Sequence, residues 1–219
     1  MPSKQMNRLL WLIVVVLIGV FAYRAQDTIE MALSGVGKLD VRPEPETSTL
    51  YLRWRGKVDS PMAQLISEAL DKHAGENSRI VLSLSSPGGS LDHGAEIIRL
   101  LRRVADTRRI ETVVEGRGIC ASMCVPVYLQ GEVRTASANA RFMFHEVSFR
   151  ESFSDDKVTV PEKAIGSATD RFFARYFLPA GVPKDWILQV RHDITGGVDV
   201  WKSARQLVDE NAGIVQRIE

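Results

Sequence analysis

The chain has 219 residues, enough for one domain with a substantial core, and its apolar fraction of 45% is that of a globular protein, which excludes a disordered or collagen-like chain. Its 28 basic and 27 acidic side chains leave a net charge of +1. This balance excludes the strongly basic surface of a typical nucleic-acid-binding domain, so we expect no nucleic-acid partner.

The first apolar segment, residues 9–23, contains no charged side chain. Its length matches the apolar region of a secretory signal peptide and falls short of the roughly 20 residues of a spanning helix. Against cleavage, the only tolerable site, "VFA" at 20–22, lies inside the apolar run. We therefore predict a signal anchor or signal peptide over residues 1–24, with membrane contact through residues 9–23. Basic side chains flank the segment: Lys4, Arg8 and Arg24.

The basic residues before this segment orient it, because positive charge stays on the cytoplasmic side. Residues 25–219 are then expected on the exported side of a single-pass membrane protein, periplasmic or extracellular. Secretion after signal cleavage is the alternative. An exported domain lies in an oxidising compartment, where a disulfide between Cys120 and Cys124 can form.

Residues 25–48 mix charged residues with glycine and proline, and we interpret them as a linker. The domain is predicted to cover residues 49–219. It opens with the alternating strand "TLYLRWRG" at 49–56, followed by a helix over 60–73 for which Ser60 is the expected cap.

The rest of the domain alternates strands with helices. A strand, the turn "SSPGGS" and an amphipathic helix occupy residues 79–104, and the strand "IETVVEG" follows. Two short strands, two helices and a final strand, helix and strand complete the chain: 132–137, 140–147, 161–178, 183–192 and 196–219. This order predicts an α/β fold with a mainly parallel sheet.

Sites in such sheets form outside the carboxyl ends of the strands. Two turns qualify, residues 85–90 and residues 116–122, and the second ends at Ser122. A serine at a helix start is either a cap or a nucleophile. The nucleophile needs an imidazole to take its proton and a carboxylate to orient that imidazole.

Four histidines are candidates for the base. His145 is the most informative, because it ends the apolar strand "ARFMFHEV", where a polar residue is unexpected unless it faces a site. The other three are His73, His93 and His192. Among the carboxylates spacing alone does not choose, and the candidates are Glu146, Asp193, Asp199 and Asp209.

Three blocks of this sequence resemble the proteolytic subunit of Clp protease, within the wider Clp/crotonase fold. They occur in the family's order: "GKVDSPMAQLISEAL" at 56–70, "LSLSSPGGSLDHGAEI" at 82–97 and "GICASMCVPVYLQGEVRTASANARFMFH" at 118–145. The resemblance implies a Clp/crotonase-type fold of repeated β-β-α units, preceded here by the N-terminal transmembrane or signal segment. The tail, residues 146–219, matches more loosely.

The resemblance also implies roles for single residues. Ser122 falls on the family's nucleophile, His145 on its base and Asp193 on its third triad member. The oxyanion hole would be the backbone N–H groups of Gly88 and Met123, and we expect neither a metal nor a cofactor. The family usually has Gln-Pro after the base, whereas this chain has Glu-Val at 146–147.

The cysteines beside Ser122 indicate the exported Clp-like subset. The expected function is an ATP-independent serine peptidase acting on peptides or unfolded proteins, with no ATPase partner because exported compartments lack ATP. The family's rings imply a homo-oligomer. Three alternatives remain: a catalytically inactive binding or assembly module, acyl-CoA chemistry on the same fold, and a weaker resemblance to signal peptide peptidase A, which uses a Ser-Lys pair.

Overall fold

Strands and helices alternate along the chain in this computed structural model, which describes residues 37–75, 77–148 and 161–219. The strands are β1 (Lys38–Glu44), β2 (Thr49–Arg55), β3 (Arg79–Ser85), β4 (Arg109–Val114), β5 (Ile119–Ala121), β6 (Val133–Ala136), β7 (Arg141–Phe144), β8 (Val200–Ser203) and β9 (Arg217–Ile218). The helices are α1 (Ser60–Lys72), α2 (Leu91–Ala105), α3 (Cys124–Tyr128), α4 (Glu162–Tyr176), α5 (Lys184–Asp193) and α6 (Ala204–Asp209).

The strands form two sheets. The larger has the order β1-β2-β3-β4-β6-β9 and is parallel except where β1 meets β2. The smaller has the order β5-β7-β8, in which β5 and β7 are parallel. In β4-β5-α3 and β6-β7-α4 the first strand joins the larger sheet and the second the smaller. The predicted mainly parallel α/β fold is confirmed.

The larger sheet has one apolar and one charged face. Along β2, Leu50, Leu52 and Trp54 are fully buried, in the same core cluster as the inner residues of α1 and α2. Burying side chains of this kind contributes roughly 2 kcal/mol each. The opposite face carries ion pairs between strands: Arg55–Asp40, Arg53–Glu115 and Arg79–Glu111. The alternation in sequence thus places the core on the helical side.

The domain begins earlier than the sequence predicts. Residues 38–44, assigned above to the linker 25–48, form β1 and pair along their whole length with β2. This edge strand is mostly exposed and contains Pro43, so it lacks the apolar alternation that identifies a strand. The compact unit starts at Gly37, not at residue 49.

The start of α1 also differs from the prediction. Helix α1 includes Ser60, and its cap is Asp59, whose carboxylate accepts a hydrogen bond from Ser60 N at 2.8 Å. Aspartate and serine are equivalent at this position, so sequence alone did not separate them.

The predicted signal or anchor segment, residues 1–24, lies outside the described residues. Within the part of the chain that the structure describes, no helix is long and apolar enough to cross a membrane.

Candidate active site

Ser122 lies in the turn between β5 and α3. Its φ of 52° places a non-glycine residue in the left-handed region, which costs about 1–2 kcal/mol. Its N–H donates to Met143 O at 2.9 Å, so the smaller sheet continues into the turn. The first residue of α3 follows two positions later. The serine is therefore held in a sharp strand-to-helix turn.

His145 reaches Ser122 because their strands are parallel neighbours. Ala121 of β5 pairs with Met143 of β7, so both strands end at the same edge of the sheet. There the His145 Nε2 and Ser122 Oγ atoms are 2.7 Å apart. At this distance the imidazole can take the hydroxyl proton, the first requirement for a serine nucleophile.

The other three histidines lie elsewhere. His73 follows the last residue of α1. His93 lies in the first turn of α2, with Nε2 3.4 Å from an Asp59 carboxylate oxygen, and His192 is exposed on α5. The choice among histidines that spacing left open is therefore made by geometry, in favour of His145.

Asp193 is the last residue of α5. Its Oδ1 accepts a hydrogen bond from Gln189 Nε2 at 2.8 Å. Among the described residues, no carboxylate hydrogen-bonds or forms an ion pair with His145, and this includes Glu146, Asp199 and Asp209 as well as Asp193. The structure brings together Ser122 and His145, and the third triad member stays a prediction.

Gly88 lies against the nucleophile. A Cβ on this glycine would be 2.7 Å from both Ala121 O and Ser122 Cβ, and its φ is 93°. Only glycine allows this approach and conformation. Its N–H donates to the Ser86 hydroxyl at 3.1 Å, so this predicted oxyanion donor is engaged within the turn.

Met123 provides the second predicted donor. Its N–H has no hydrogen-bond partner among the described residues, and it lies at the start of α3 beside Gly88, whose added Cβ would be 3.2 Å from it. The Met123 side chain is fully buried against Gly94 of α2, where a Cβ would meet Met123 Cγ at 2.3 Å. The packing holds Met123 against α2.

Ser86 is a site residue that the sequence reasoning missed. It is fully buried, its N–H donates to Ile119 O and its carbonyl accepts from Ala121 N. The Ser86 backbone thus hydrogen-bonds to β5, the strand before the nucleophile, and the Ser86 hydroxyl accepts a hydrogen bond from the Gly88 N–H. A serine before Pro-Gly-Gly was the available signal for the bond to Gly88, whereas its backbone partners Ile119 and Ala121 are distant in sequence.

The two cysteines lie on either side of Ser122. Their Cα atoms are 5.2 Å apart and the sulfurs are at 2.07 Å, a bonding distance. Cys120 belongs to β5 and Cys124 begins α3, so the pair spans strand, turn and helix and not one regular helix. Both side chains are fully buried.

A cleft of about 770 Å³ opens over Ser122 and His145. Its lining includes Gly88 and Gly89, and aromatic residues from α4 and the position after it: Phe172, Phe173 and Phe177. The Val58 N–H donates to Gly88 O, and Val58 O accepts from the Ser90 N–H. The N–H and C=O of Gly89, between these two residues, have no hydrogen-bond partners among the described residues. An extended chain could pair with this free edge.

Metal ligands are not clustered here. Within residues 37–75, 77–148 and 161–219, no group of three or more His, Cys, Asp or Glu side chains could hold a metal ion.

Comparisons with known proteins identify a family and a fold for this chain. The family model described as Clp protease matches residues 50–209. Among solved structures, a mutant of ClpP1 from Listeria monocytogenes is similar with a TM-score of 0.58 and 22% sequence identity, over 80% of this chain and 92% of that chain. At this identity the likeness shows the fold alone. A search of curated proteins found no match.

Proposed function

Because the chain belongs to the Clp protease family, we propose that it is a serine peptidase that uses Ser122 as nucleophile and His145 as base. The observation that carries the proposal is the 2.7 Å contact between Ser122 Oγ and His145 Nε2, beside the unpaired Met123 N–H. A cap serine would need no imidazole at this distance.

The chemical steps follow from these positions. Ser122 Oγ attacks the peptide carbonyl carbon while His145 Nε2 takes the hydroxyl proton. The carbonyl oxygen becomes an oxyanion, which accepts hydrogen bonds from Met123 N–H and from Gly88 N–H. An oxyanion is a stronger acceptor than the neutral Ser86 hydroxyl, so it can draw the Gly88 N–H away. His145 then protonates the leaving amine, and water hydrolyses the acyl-enzyme. Asp193 is the proposed group that orients His145.

The cleft favours an extended peptide or unfolded protein as substrate. The free N–H and C=O of Gly89 offer main-chain hydrogen bonds that do not depend on the substrate's sequence. We propose that the enzyme works without an ATPase partner, because we place it outside the cytoplasm.

We propose an exported, membrane-anchored location, with secretion after cleavage as the alternative. The support is the apolar segment 9–23 with its basic flanks, and the bonded cysteines, because disulfides persist chiefly in oxidising compartments. Alkaline extraction of membranes tests the anchor: a retained segment keeps the protein in the pellet, whereas a cleaved one releases it. As a member of this family the chain is also proposed to form a homo-oligomer.

A fluorophosphonate probe tests the nucleophile. We expect the probe to label the wild-type protein and not Ser122→Ala, and His145→Ala to remove nearly all labelling and nearly all hydrolysis of unfolded casein, because triad members act as a unit. Ser167→Ala, which changes an exposed hydroxyl on α4, is the control and should label normally. Equal labelling of wild type and Ser122→Ala would refute the assignment.

A second candidate function is a catalytically inactive binding or assembly module. It is favoured by two contacts: Asp193 bonds to Gln189 and not to His145, and the Gly88 N–H is held by Ser86. This candidate predicts no fluorophosphonate labelling of the wild-type protein and no hydrolysis of casein.

A further inference from the structure

Glu146 directly follows the base and connects it to the end of α5. Its side chain is 11% exposed and its Oε2 accepts a hydrogen bond from Gly197 N at 3.0 Å. Its Oε1 lies 3.9 Å from Arg191 Nη1. The Glu146 carboxylate thus lies against Arg191, two residues before Asp193, and against Gly197, four residues after it.

Arg191 is itself anchored to α4. Its Nε donates to Asp170 Oδ1 at 2.8 Å and its Nη2 to Gly166 O at 3.4 Å. The remaining terminal nitrogen, Nη1, is buried and makes no hydrogen bond within the described residues, and it points toward Glu146. Burying a guanidinium nitrogen without a hydrogen-bond partner costs free energy of folding, and the nearby Glu146 carboxylate offsets this cost.

We infer that Glu146 and Arg191 are positioning residues, which set the distance and orientation of the Asp193 segment relative to His145. The inference rests on the proposed function. Glu146 is the residue after His145, and its two partners, Arg191 and Gly197, lie before and after Asp193 in the sequence. We call Glu146, Arg191 and the Gly197 N–H the clamp. The clamp connects the segment that carries the base to the segment that carries the orienting carboxylate. Neither Glu146 nor Arg191 exchanges a proton in the reaction.

The measurement is the second-order rate constant for labelling of Ser122 by a fluorophosphonate, which needs no knowledge of the natural substrate. We expect Glu146→Ala to lower this rate about tenfold, because small misplacements of catalytic groups cost large factors in rate. Glu146→Gln retains an acceptor for Gly197 N–H and should lose only about threefold. Arg191→Met should resemble Glu146→Ala.

A double-mutant cycle separates positioning from general stability. If Glu146 acts through Asp193, Glu146→Ala should have no further effect in the Asp193→Ala background. A full tenfold loss in that background overturns the inference, and so does an Asp193→Ala variant that labels like wild type. In both cases Ser122-dependent labelling of the wild type would leave the proposed function standing, whereas absent wild-type labelling would refute the function itself.

Glu210→Ala is the matched control. Glu210 also binds α5, at its first turn, by accepting from Trp186 Nε1 at 2.9 Å, and it pairs with Lys202. Its removal should change the labelling rate by less than threefold. Should it slow labelling as much as Glu146→Ala does, the effect is loss of helix anchoring and the inference is wrong. Thermal melting checks folding, and if Glu146→Ala does not fold, Glu146→Gln and Arg191→Met decide the outcome.

Discussion

The left-handed backbone of Ser122 is held from both sides. Its N–H bonds to Met143 O, and α3 begins immediately beyond Met123. Residues in this region persist only where the surroundings determine them, and they cluster at functional sites. Here the turn leaves the hydroxyl 2.7 Å from His145 Nε2.

Gly88→Ala should greatly slow the reaction of Ser122. The new methyl group would meet Ala121 O and Ser122 Cβ at 2.7 Å, and alanine is strained at a φ of 93°. We expect at least a hundredfold loss of the fluorophosphonate labelling rate, and a decrease of about 2–3 kcal/mol in the free energy of unfolding measured in urea.

Gly181→Ala is the control for the backbone effect alone. Gly181 has a φ of 80°, but a Cβ there would meet nothing within 4 Å. It should lose about 1–2 kcal/mol of stability and label at the wild-type rate. Normal labelling by Gly88→Ala would show that this glycine does not shape the site.

The roles of Ser122 and His145 were predicted from the family resemblance, and the structure supplies the physical reason for their contact: each follows a short strand, and the carboxyl ends of parallel strands share an edge. The partners of Glu146 could not be predicted. Arg191 and Gly197 are ordinary helix and turn residues in the sequence, and only their final positions make them contacts of this carboxylate. The bond from Gln189 to Asp193 differs, because residues four apart on a helix are neighbours.

The β5-turn-α3 unit is closed by the cysteine pair. The sulfurs join the strand before Ser122 to the first residue of the helix after it. Both cysteine side chains are fully buried, so the sulfur pair belongs to the packed interior.

Replacing both cysteines, Cys120→Ala with Cys124→Ala, should cost about 2 kcal/mol of unfolding free energy, the chain-entropy value for so short a loop. The labelling rate of Ser122 should fall about tenfold, because the turn is less restrained. Urea unfolding with and without a phosphine reductant measures the first effect, and reductant should not change the variant further. Two free thiols in protein purified without reductant would contradict the disulfide.

The elements with a strong hydrophobic periodicity lie where the sequence predicted them. The helices α1, α2, α4 and α5 and the final strand-helix-strand lie where the pattern indicated. The edge strand β1 did not, because its side chains face solvent and only its hydrogen bonds to β2 make it a strand.

At the level of the whole molecule, the C-terminal segment is held to the sheet by a buried arginine. Arg134 of β6 donates to the carbonyl oxygens of Ile214, Gly213, Gly131 and Ala180. Burial lowers the pKa of the Arg134 guanidinium, and these carbonyls replace the water that it loses. The chain's last strand, β9, pairs with β6 beside it.

Tyr128 gives the folded protein a pH dependence in alkali. Burial raises the pKa of its hydroxyl; Arg134 lowers this pKa and Glu219 raises it, both to smaller extents. The hydroxyl donates a hydrogen bond to Thr135 O at 3.0 Å. The pKa of Tyr128 in the folded protein lies above its unfolded value of about 10. The contribution of Tyr128 to the free energy of unfolding is therefore fully present below pH 10 and is lost as the pH rises further.

Between pH 9 and pH 11 the wild-type protein should therefore lose about 1.4 kcal/mol more unfolding free energy than Tyr128→Phe does. Urea denaturation at the two pH values measures the difference. The variant itself loses a hydrogen bond worth about 1 kcal/mol at neutral pH. Equal losses in both proteins would mean that Tyr128 ionises in the folded state as readily as in the unfolded chain.

The sequence by itself indicated the mainly parallel α/β fold and, through its resemblance to a family, the candidates Ser122 and His145, because periodicity and local motifs depend on near neighbours in the chain. The tertiary structure alone decided the start of the domain at Gly37, the contact of His145 with Ser122, and the contacts of Glu146. The physical reason is that a polar group satisfies its hydrogen bonds with whatever folding brings near, and those partners lie up to tens of residues away.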